Sequence, residues 1–457
     1  MTKNVRPLTV LDAFAGAGGF SLGFQLAGCT VVGGIERDAW AAETFAFNHP
    51  QAHVLVRDIE EVGDQEIIDL FGGPTPSIIV GGPPCQGFSI CRRDAGDPTD
   101  PRNSLFQEFI RLGRLLSPDL MVMENVPNLL NARTHSGEPV IAIIRRELED
   151  LDFYTYYGVL QAVDHGIPQI RKRLFIVASR VPLLKPLPDP THTCDGDQNH
   201  MFSVLDRSPT LWDAISDLPP IRAGEGAHEM DYIAGAANAY QAEMRHNSHK
   251  VFNHTAMKHT RRMVERFAAM KSGESGRDVP DHLKPFARNS KKISATIYDQ
   301  NNRRMHPNRP CHTIPAAFYA NFVHPFYNRN FTPREGARLQ SFPDWYVFKG
   351  KPTVVSQKLL AREERWSEKF LCQYNQIGNA VPPLLAKAVA RNLLGAYKGG
   401  SKDSVCTWAK PHTEGRAPGE IQRQDLQAVL AGDSEPIREM EGSESRTEGA
   451  FGQKTGT

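Results

Sequence analysis

Residues 8–20 read LTVLDAFAGAGGF, a short apolar run that reaches Asp12 and breaks into glycines at 16, 18 and 19. Such a run, bounded by a turn signal, suits a strand buried on both faces rather than a signal peptide. The glycines allow a tight turn and leave bare backbone for a ligand to lie against. From Gly16 to Gly28 the turn would run into a helix. The same alternation continues downstream. TVVGGIE (30–36), HVLVR (53–57), SIIV (77–80), LMVME (120–124), 154–160 and 174–178 are strand-like, and helical periods run through 38–48 and 104–116. Strands separated by helices predict an α/β unit with a largely parallel sheet. In such sheets ligands gather at the carboxyl ends of strands, where Gly16, Cys85 and Glu124 are expected.

The chain has 457 residues, 40% apolar and 23% charged, which suits a soluble protein with a large core and excludes disorder throughout. Lys and Arg number 53 against 52 Asp and Glu, a net charge of +1. Any nucleic-acid surface must therefore come from local segregation of charge. Residues 240–310 supply one, with 15 basic against 6 acidic residues and six histidines. The seven cysteines are odd in number and include no CxxC pair, which disfavours disulfide and Cys-rich zinc frameworks and points to a reducing compartment. No run of 18 apolar residues suggests a membrane span. We expect an α/β body over 1–180, an inserted second domain over 181–305, a segment over 306–400 that completes the first, and a disordered tail over 401–457.

The glycine turn matches neither GxGxxG nor a phosphate-binding P-loop. Glu36, closing the second strand, could accept the two hydroxyls of a ribose. Asp58 could accept an adenine amino group, with Ile59 packed on the ring. These features also suit NAD, but nothing in the chain suggests a hydride acceptor, and a thiol follows. In IIVGGPPCQGFS (78–89) Pro83 and Pro84 stiffen the approach to Cys85. A thiol titrates near ~8.5 yet is intrinsically very nucleophilic. Glu124 ends the fifth strand, beside the fourth in the simplest doubly wound order. Backed by an apolar run, it would be partly desolvated, which suits acid work. In QIRKR (169–173) strand alternation puts Arg171 and Arg173 on one face, for a ring carbonyl or a phosphate.

With Cys85, Glu124 and the two arginines in view, the chain resembles the DNA cytosine-5 methyltransferases. The blocks occur in order: DAFAGAGGF (12–20), Glu36, Asp58-Ile59, GGPPCQGFS (81–89), RNSLF (102–106), ENV (124–126), QIRKR, RPCHTI (309–314), REGARLQSFPD (334–344) and QIGNAVPP (376–383). The resemblance covers roughly 8–396 and implies a Rossmann-like fold with a mostly parallel mixed sheet and a smaller target-recognition domain. It implies S-adenosyl-L-methionine as cofactor, S-adenosyl-L-homocysteine as product, and no metal. Phe14, Gly16, Gly18, Gly19, Glu36, Asp58, Ile59, Pro84, Leu105 and Asn379 are the matching cofactor positions. Cys85 would attack C6 of a flipped-out cytosine, Glu124 would bond N3 and the exocyclic amine, and Arg173 would contact O2. Arg171 and Asn125 would brace the catalytic loop and carboxylate.

Residues 181–305 stand where that family keeps its target-recognition domain. Their basic excess suits a phosphate backbone but specifies no sequence. Gln86, Ser89, Arg92 and Arg93, in or beside a polar loop after the cysteine, and Asn302, Arg303 and Arg304 are DNA-contact candidates. His254 and His259 lack a second pair of zinc-ligand spacing. The implied partner is double-stranded DNA, acted on by a monomer in a bacterial cytoplasm, with a separate restriction endonuclease as companion. Transfer RNA is the competing substrate, and a catalytically silent binding module the competing class.

Overall fold

The computed structural model describes residues 7–73, 75–84, 105–134, 137–194, 205–287, 292–299, 301–353, 360, 362, 364 and 370–399. Contacts divide the chain at Lys402/Asp403, and every described residue belongs to the first unit. The 401–457 tail lies outside the described residues.

The strands are β1 (Thr9–Asp12), β2 (Thr30–Ile35), β3 (His53–Leu55), β4 (Ile78–Gly81), β5 (Leu120–Asn125), β6 (Tyr154–Gln161), the short β7 (Gln169–Ile170) and β8 (Lys172–Ser179). All but β7 form one sheet in the order β3-β2-β1-β4-β5-β8-β6. The first five are parallel, while β8 runs antiparallel to both β5 and β6. The sheet is therefore mixed, mostly parallel at its centre. As expected, β4 and β5 are neighbours.

Side chains alternate across the sheet, so adjacent residues enter different cores. Val10, Ile78, Val80, Val122 and Val177 enter one apolar cluster, with Phe20, Leu22 and Phe24 of helix α1 (Gly19–Leu26). Leu11, Ile79, Met121, Met123 and Ile176 enter the other. Helix α2 (Ala39–Asn48) follows β2, and α3 (Asp64–Ile67) follows β3. The second cluster is covered by α4 (Leu105–Leu116) and α5 (Val140–Glu149). The Asp38 carboxylate caps α2 by accepting from Ala41 N at 3.0 Å. The last helix, Pro383–Gly399, packs along α1 so closely that a Cβ on Gly23 would lie 2.3 Å from that of Ala386.

Residues 181–305 carry α6 (Leu211–Ile215), an antiparallel ribbon (Gly226–Asp231 with Lys250–Thr255), α7 (Ala239–Arg245) and α8 (Arg261–Ala268). The first apolar cluster runs into it through Leu211, Ile215, Tyr240 and Val251. Helix α9 (Pro333–Leu339) carries a cluster of buried polar side chains. Arg338 there binds Asp217 at 3.0 Å and Asp344 at 2.6 Å, and Arg329 binds Glu335 at 2.7 Å, all buried. Paired and hydrogen-bonded in this way, the charges tolerate burial. Among the described residues no helix is long and apolar enough to cross a membrane.

Candidate functional site

A cavity of about 670 Å³ opens at the carboxyl ends of β1, β2, β4 and β5. Its wall draws on Phe14, Gly16, Gly19, Glu36, Asp58 and Ile59 from the first two βα turns and the segment after β3. Pro84, Leu105, Glu124, Asn125, Arg171, Arg173 and Asn379 complete what sequence had singled out. Thus positions up to 365 residues apart (14 to 379) converge on one space. Cys85, Gln86, Ser89, Arg92 and Arg93 lie outside the described residues.

The glycine turn has three different jobs. Gly16 has φ +51°, and a Cβ there would meet nothing within 4 Å, so its bare face looks onto open space. Gly19 gives way to the C-terminal segment, since a Cβ would come within 2.4 Å of the Val381 carbonyl oxygen. Gly18, expected to touch a ligand, does not line the cavity. Its φ of +85° starts α1, and the space a side chain would fill belongs to the Tyr346 hydroxyl, 2.4 Å from the Cβ position.

Glu36 locks the turn to β2. One carboxylate oxygen accepts the Gly16 N–H and the other the Asp38 N–H, both at 2.8 Å. Burial raises its pKa, partly offset by those two amides. Each oxygen keeps a second lone pair for a hydroxyl donor. Asp58 receives Arg37 Nη1 at 3.0 Å, so a guanidinium stands beside the carboxylate expected to meet an amino group.

Across the cavity, Arg173 Nε donates to Glu124 Oε1 at 2.8 Å, and both side chains are about nine-tenths buried. The acid foreseen against an apolar wall thus has a cation for its partner. Burial lowers the Arg173 pKa, and Glu124 opposes that shift. A Cβ on Gly82 would stand 3.2 Å from Glu124 Oε2, so the glycine leaves this carboxylate uncrowded. Asn125 Nδ2 donates to the Pro83 carbonyl at 3.1 Å while its Oδ1 accepts from Val126 N at 2.8 Å. That side chain ties the end of β5 to the proline pair that precedes Cys85.

Arg171 falls in the break between β7 and β8 and turns inward. Its guanidinium donates to the carbonyls of Ile314 (3.0 Å), Gly378 (3.2 Å) and Ala380 (3.2 Å). Burial drives its pKa well down, Arg173 adds to the effect and Glu124 opposes it. It staples two downstream segments to the sheet. Those segments contribute Thr313, Ile314, Gln376 and Val381 to the wall, residues to which sequence reasoning gave no role. The only signal for them was their place inside RPCHTI and QIGNAVPP.

The base-reading candidates divide. Arg304 is buried and spends its guanidinium on the His324 carbonyl (2.7 Å), the Pro325 carbonyl (3.0 Å) and Asn328 Oδ1 (2.7 Å). Its guanidinium is thus engaged inside the protein. Arg303 and Asn302 are half-buried, the latter at φ +52° in a turn. His254 uses both ring nitrogens internally, on Thr332 and the Pro219 carbonyl. Among the described residues no three His, Cys, Asp or Glu side chains form a metal-binding group.

A sequence profile described as C-5 cytosine-specific DNA methylase matches residues 8–395. The chain is 44% identical over 394 residues to the type II methyltransferase M.DdeI of Desulfomicrobium norvegicum, covering 84% of this chain and 88% of that one. It is 32% identical over 388 residues to the type II methyltransferase M1.HphI of Haemophilus parahaemolyticus, covering 85% and 87%. In fold it is similar to a solved protein described as a DNA modification methyltransferase encoded in an E. coli prophage. The TM-score is 0.63 at 24% identity, over 86% of this chain and 99% of that one.

Proposed function

The chain belongs to the C-5 cytosine-specific DNA methylase family, and from that premise we propose how its residues carry out the transfer. It is a DNA cytosine-5-methyltransferase of an S-adenosylmethionine-dependent family and fold. The donor set suits that cofactor. Gly16 offers a bare backbone cradle, Glu36 retains acceptor capacity for ribose hydroxyls, and Phe14, Ile59, Pro84 and Leu105 supply apolar contact for a purine. When bound, the group supplies an electrophilic methyl on a sulfonium.

The remaining steps belong to the protein. Cytosine C5 is a weak nucleophile, and its base is out of reach inside a duplex. The target base would be swung out of the stack, at a cost of a few kcal/mol. Cys85, bonded directly to Pro84, would then form a bond to C6 and leave C5 electron-rich. Glu124 would hydrogen-bond N3 and the exocyclic amine as the ring gains charge, and Arg173 would hold both that carboxylate and O2. Asn125 fixes the proline pair, and Arg171 fixes the far wall. Once C5 carries the methyl, loss of its proton to a base and β-elimination across C5–C6 would release the product base and the Cys85 thiolate.

The observation that carries this reading is the Glu124–Arg173 pair facing the Glu36 side of the same cavity, with Pro84 on its wall. Because M.DdeI and M1.HphI are named type II methyltransferases, we also infer a restriction-modification setting. Purified protein with methyl-labelled S-adenosylmethionine should label duplex DNA and not transfer RNA. Label confined to RNA would reverse the substrate assignment. Bisulfite sequencing of DNA from an expressing host would locate the modified cytosines.

A further inference from the structure

Segment 306–313 reads HPNRPCHT and leads directly into the cavity wall at Thr313 and Ile314. It is held on both sides. The Arg309 and Pro307 carbonyls accept from Leu211 N and Trp212 N, each at 2.9 Å. Cys311 N donates to the Pro168 carbonyl at 2.9 Å, Thr313 Oγ1 to the Ile170 carbonyl at 2.7 Å, and Cys311–His312 pairs in parallel with β7. Pro307 and Pro310 fix φ within it. The result is a rigid rail whose inner residue Cys311 is fully buried while His306, Arg309 and His312 face outward.

Two guanidiniums and two imidazoles gather on this rail. The His312 pKa is lowered first by desolvation and then by Arg303, His306 and Arg309; that of His306 by desolvation, then Arg309 and Arg303. Every charge acting on either imidazole is thus positive. Among the described residues none of the four side chains has a hydrogen-bond partner or a carboxylate, and the Arg303 Nε is buried without one. The two guanidiniums stand without a counter-ion, and an anion bound beside them would also favour the protonated form of both imidazoles. Pinned backbone also means that little ordering remains to be done when the anion arrives.

We propose that Arg303, His306, Arg309 and His312 form a phosphate site on the rim of the cavity, taking the backbone phosphate beside the nucleotide whose base enters it. The proposal rests on the reading of the chain as a duplex-DNA methyltransferase. It assigns Arg303 to the backbone rather than to a base edge. The rail passes without interruption into the wall that would receive the base, so one nucleotide spans both: base inside, phosphate on the rim.

The test uses the full chain and a fluorescein-labelled duplex of mixed sequence, with anisotropy followed across a sodium chloride series. Arg309→Gln should lower the slope of log K against log salt by about one. The double variant Arg309→Gln/His312→Gln should bind about tenfold more weakly at moderate salt. Arg309→Lys, which keeps the charge, should restore the slope, and S-adenosylhomocysteine affinity should be unchanged in all three. Inorganic phosphate should compete only at high concentration; equal competition at low concentration would make this a free-anion site and overturn the DNA assignment. A parent that methylates DNA while the glutamine variants keep its slope and affinity overturns the rail alone. A parent that transfers no methyl to any duplex overturns both the rail and the reading beneath it.

Discussion

Two alanine substitutions three residues apart should have opposite consequences, because Gly16 and Gly19 lack side chains for different reasons. At Gly19 the new methyl would sit 2.4 Å from the Val381 carbonyl, 3.0 Å from Phe342 Cζ and 3.3 Å from Ala380 Cβ. A backbone carbonyl cannot swing aside as a flexible side chain does, so the C-terminal segment must retreat. Overpacking of this kind costs about 1–3 kcal/mol, and Gly19 opens its helix, so little helix propensity is regained. Gly19→Ala should therefore lose about 2 kcal/mol of stability. At Gly16 the methyl meets no protein atom within 4 Å. The φ of +51° costs an L-residue about 1–2 kcal/mol, and reduced freedom of the unfolded chain returns about 0.4–1. The net loss is under about 1.5 kcal/mol.

For binding the order reverses. The Gly16 methyl would occupy the space proposed for the cofactor, and a hundredfold loss of affinity, about 2.7 kcal/mol, is expected. Gly19→Ala displaces only one strip of wall, for about a tenfold loss. Denaturant midpoints give the first comparison and calorimetric titration with S-adenosylhomocysteine the second. If Gly16→Ala bound within threefold of the parent, the cofactor would not lie on this turn, and the site would have to be redrawn.

Three further outcomes follow from the same geometry. Cys85→Ala should bind S-adenosylhomocysteine like the parent and show no turnover; an active purified variant would end the covalent mechanism. Glu124→Gln should slow single-turnover transfer by about 10²- to 10⁴-fold, the usual range for acid–base assistance, and a rate within twofold would remove Glu124 from the reacting groups. Asp12 is buried with Oδ1 unpartnered, and its pKa is pushed from 3.8 up to about 7 by burial, against hydrogen bonds from Ser21 and the Phe14 and Ser21 amides. A carboxyl raised on folding favours the fold at low pH and loses that advantage as pH climbs from about 4 to 7. Relative to Asp12→Asn, the parent should lose on the order of 4 kcal/mol across that range, and parallel pH–stability curves would refute the assignment.

The sheet was legible because its strands are continuous apolar runs, and the glycine turn, Glu36 and Glu124 were legible because each ends one. Arginine was the blind spot. Arg171 and Arg173 look alike in an alternating pattern, yet the strand breaks at Arg171 and sends it to carbonyls 143, 207 and 209 residues away. Arg304 likewise spends its guanidinium on backbone carbonyls, those of His324 and Pro325. Arg334 and Arg338, fully buried, passed as one polar motif block. A charged letter reads as surface unless its partners are visible, and backbone carbonyls from remote segments leave no pattern in sequence. The basic insert likewise gave no sign that its apolar residues would join the core of the sheet.

That dependence on remote carbonyls bears on how the site comes into being. The turn at Gly16, the pair at Glu124 and Arg173, and the walls at Ile314 and Val381 line one cavity, and the terminal helix packs tightly on α1. Contacts of such sequence separation are late and entropically expensive. The Gly23–Ala386 approach leaves no room for partial docking, and without it Arg171 would hold a buried charge against absent partners. Removing the chain from about residue 370 should therefore abolish cofactor binding with every residue of the β4–β5 centre intact. A ligand that bridges the first turn and the last segment would conversely stabilise the closed unit, by about 2.7 kcal/mol at a hundredfold excess over its Kd. The methyl donor would then be a structural partner of the same fold that positions the thiol.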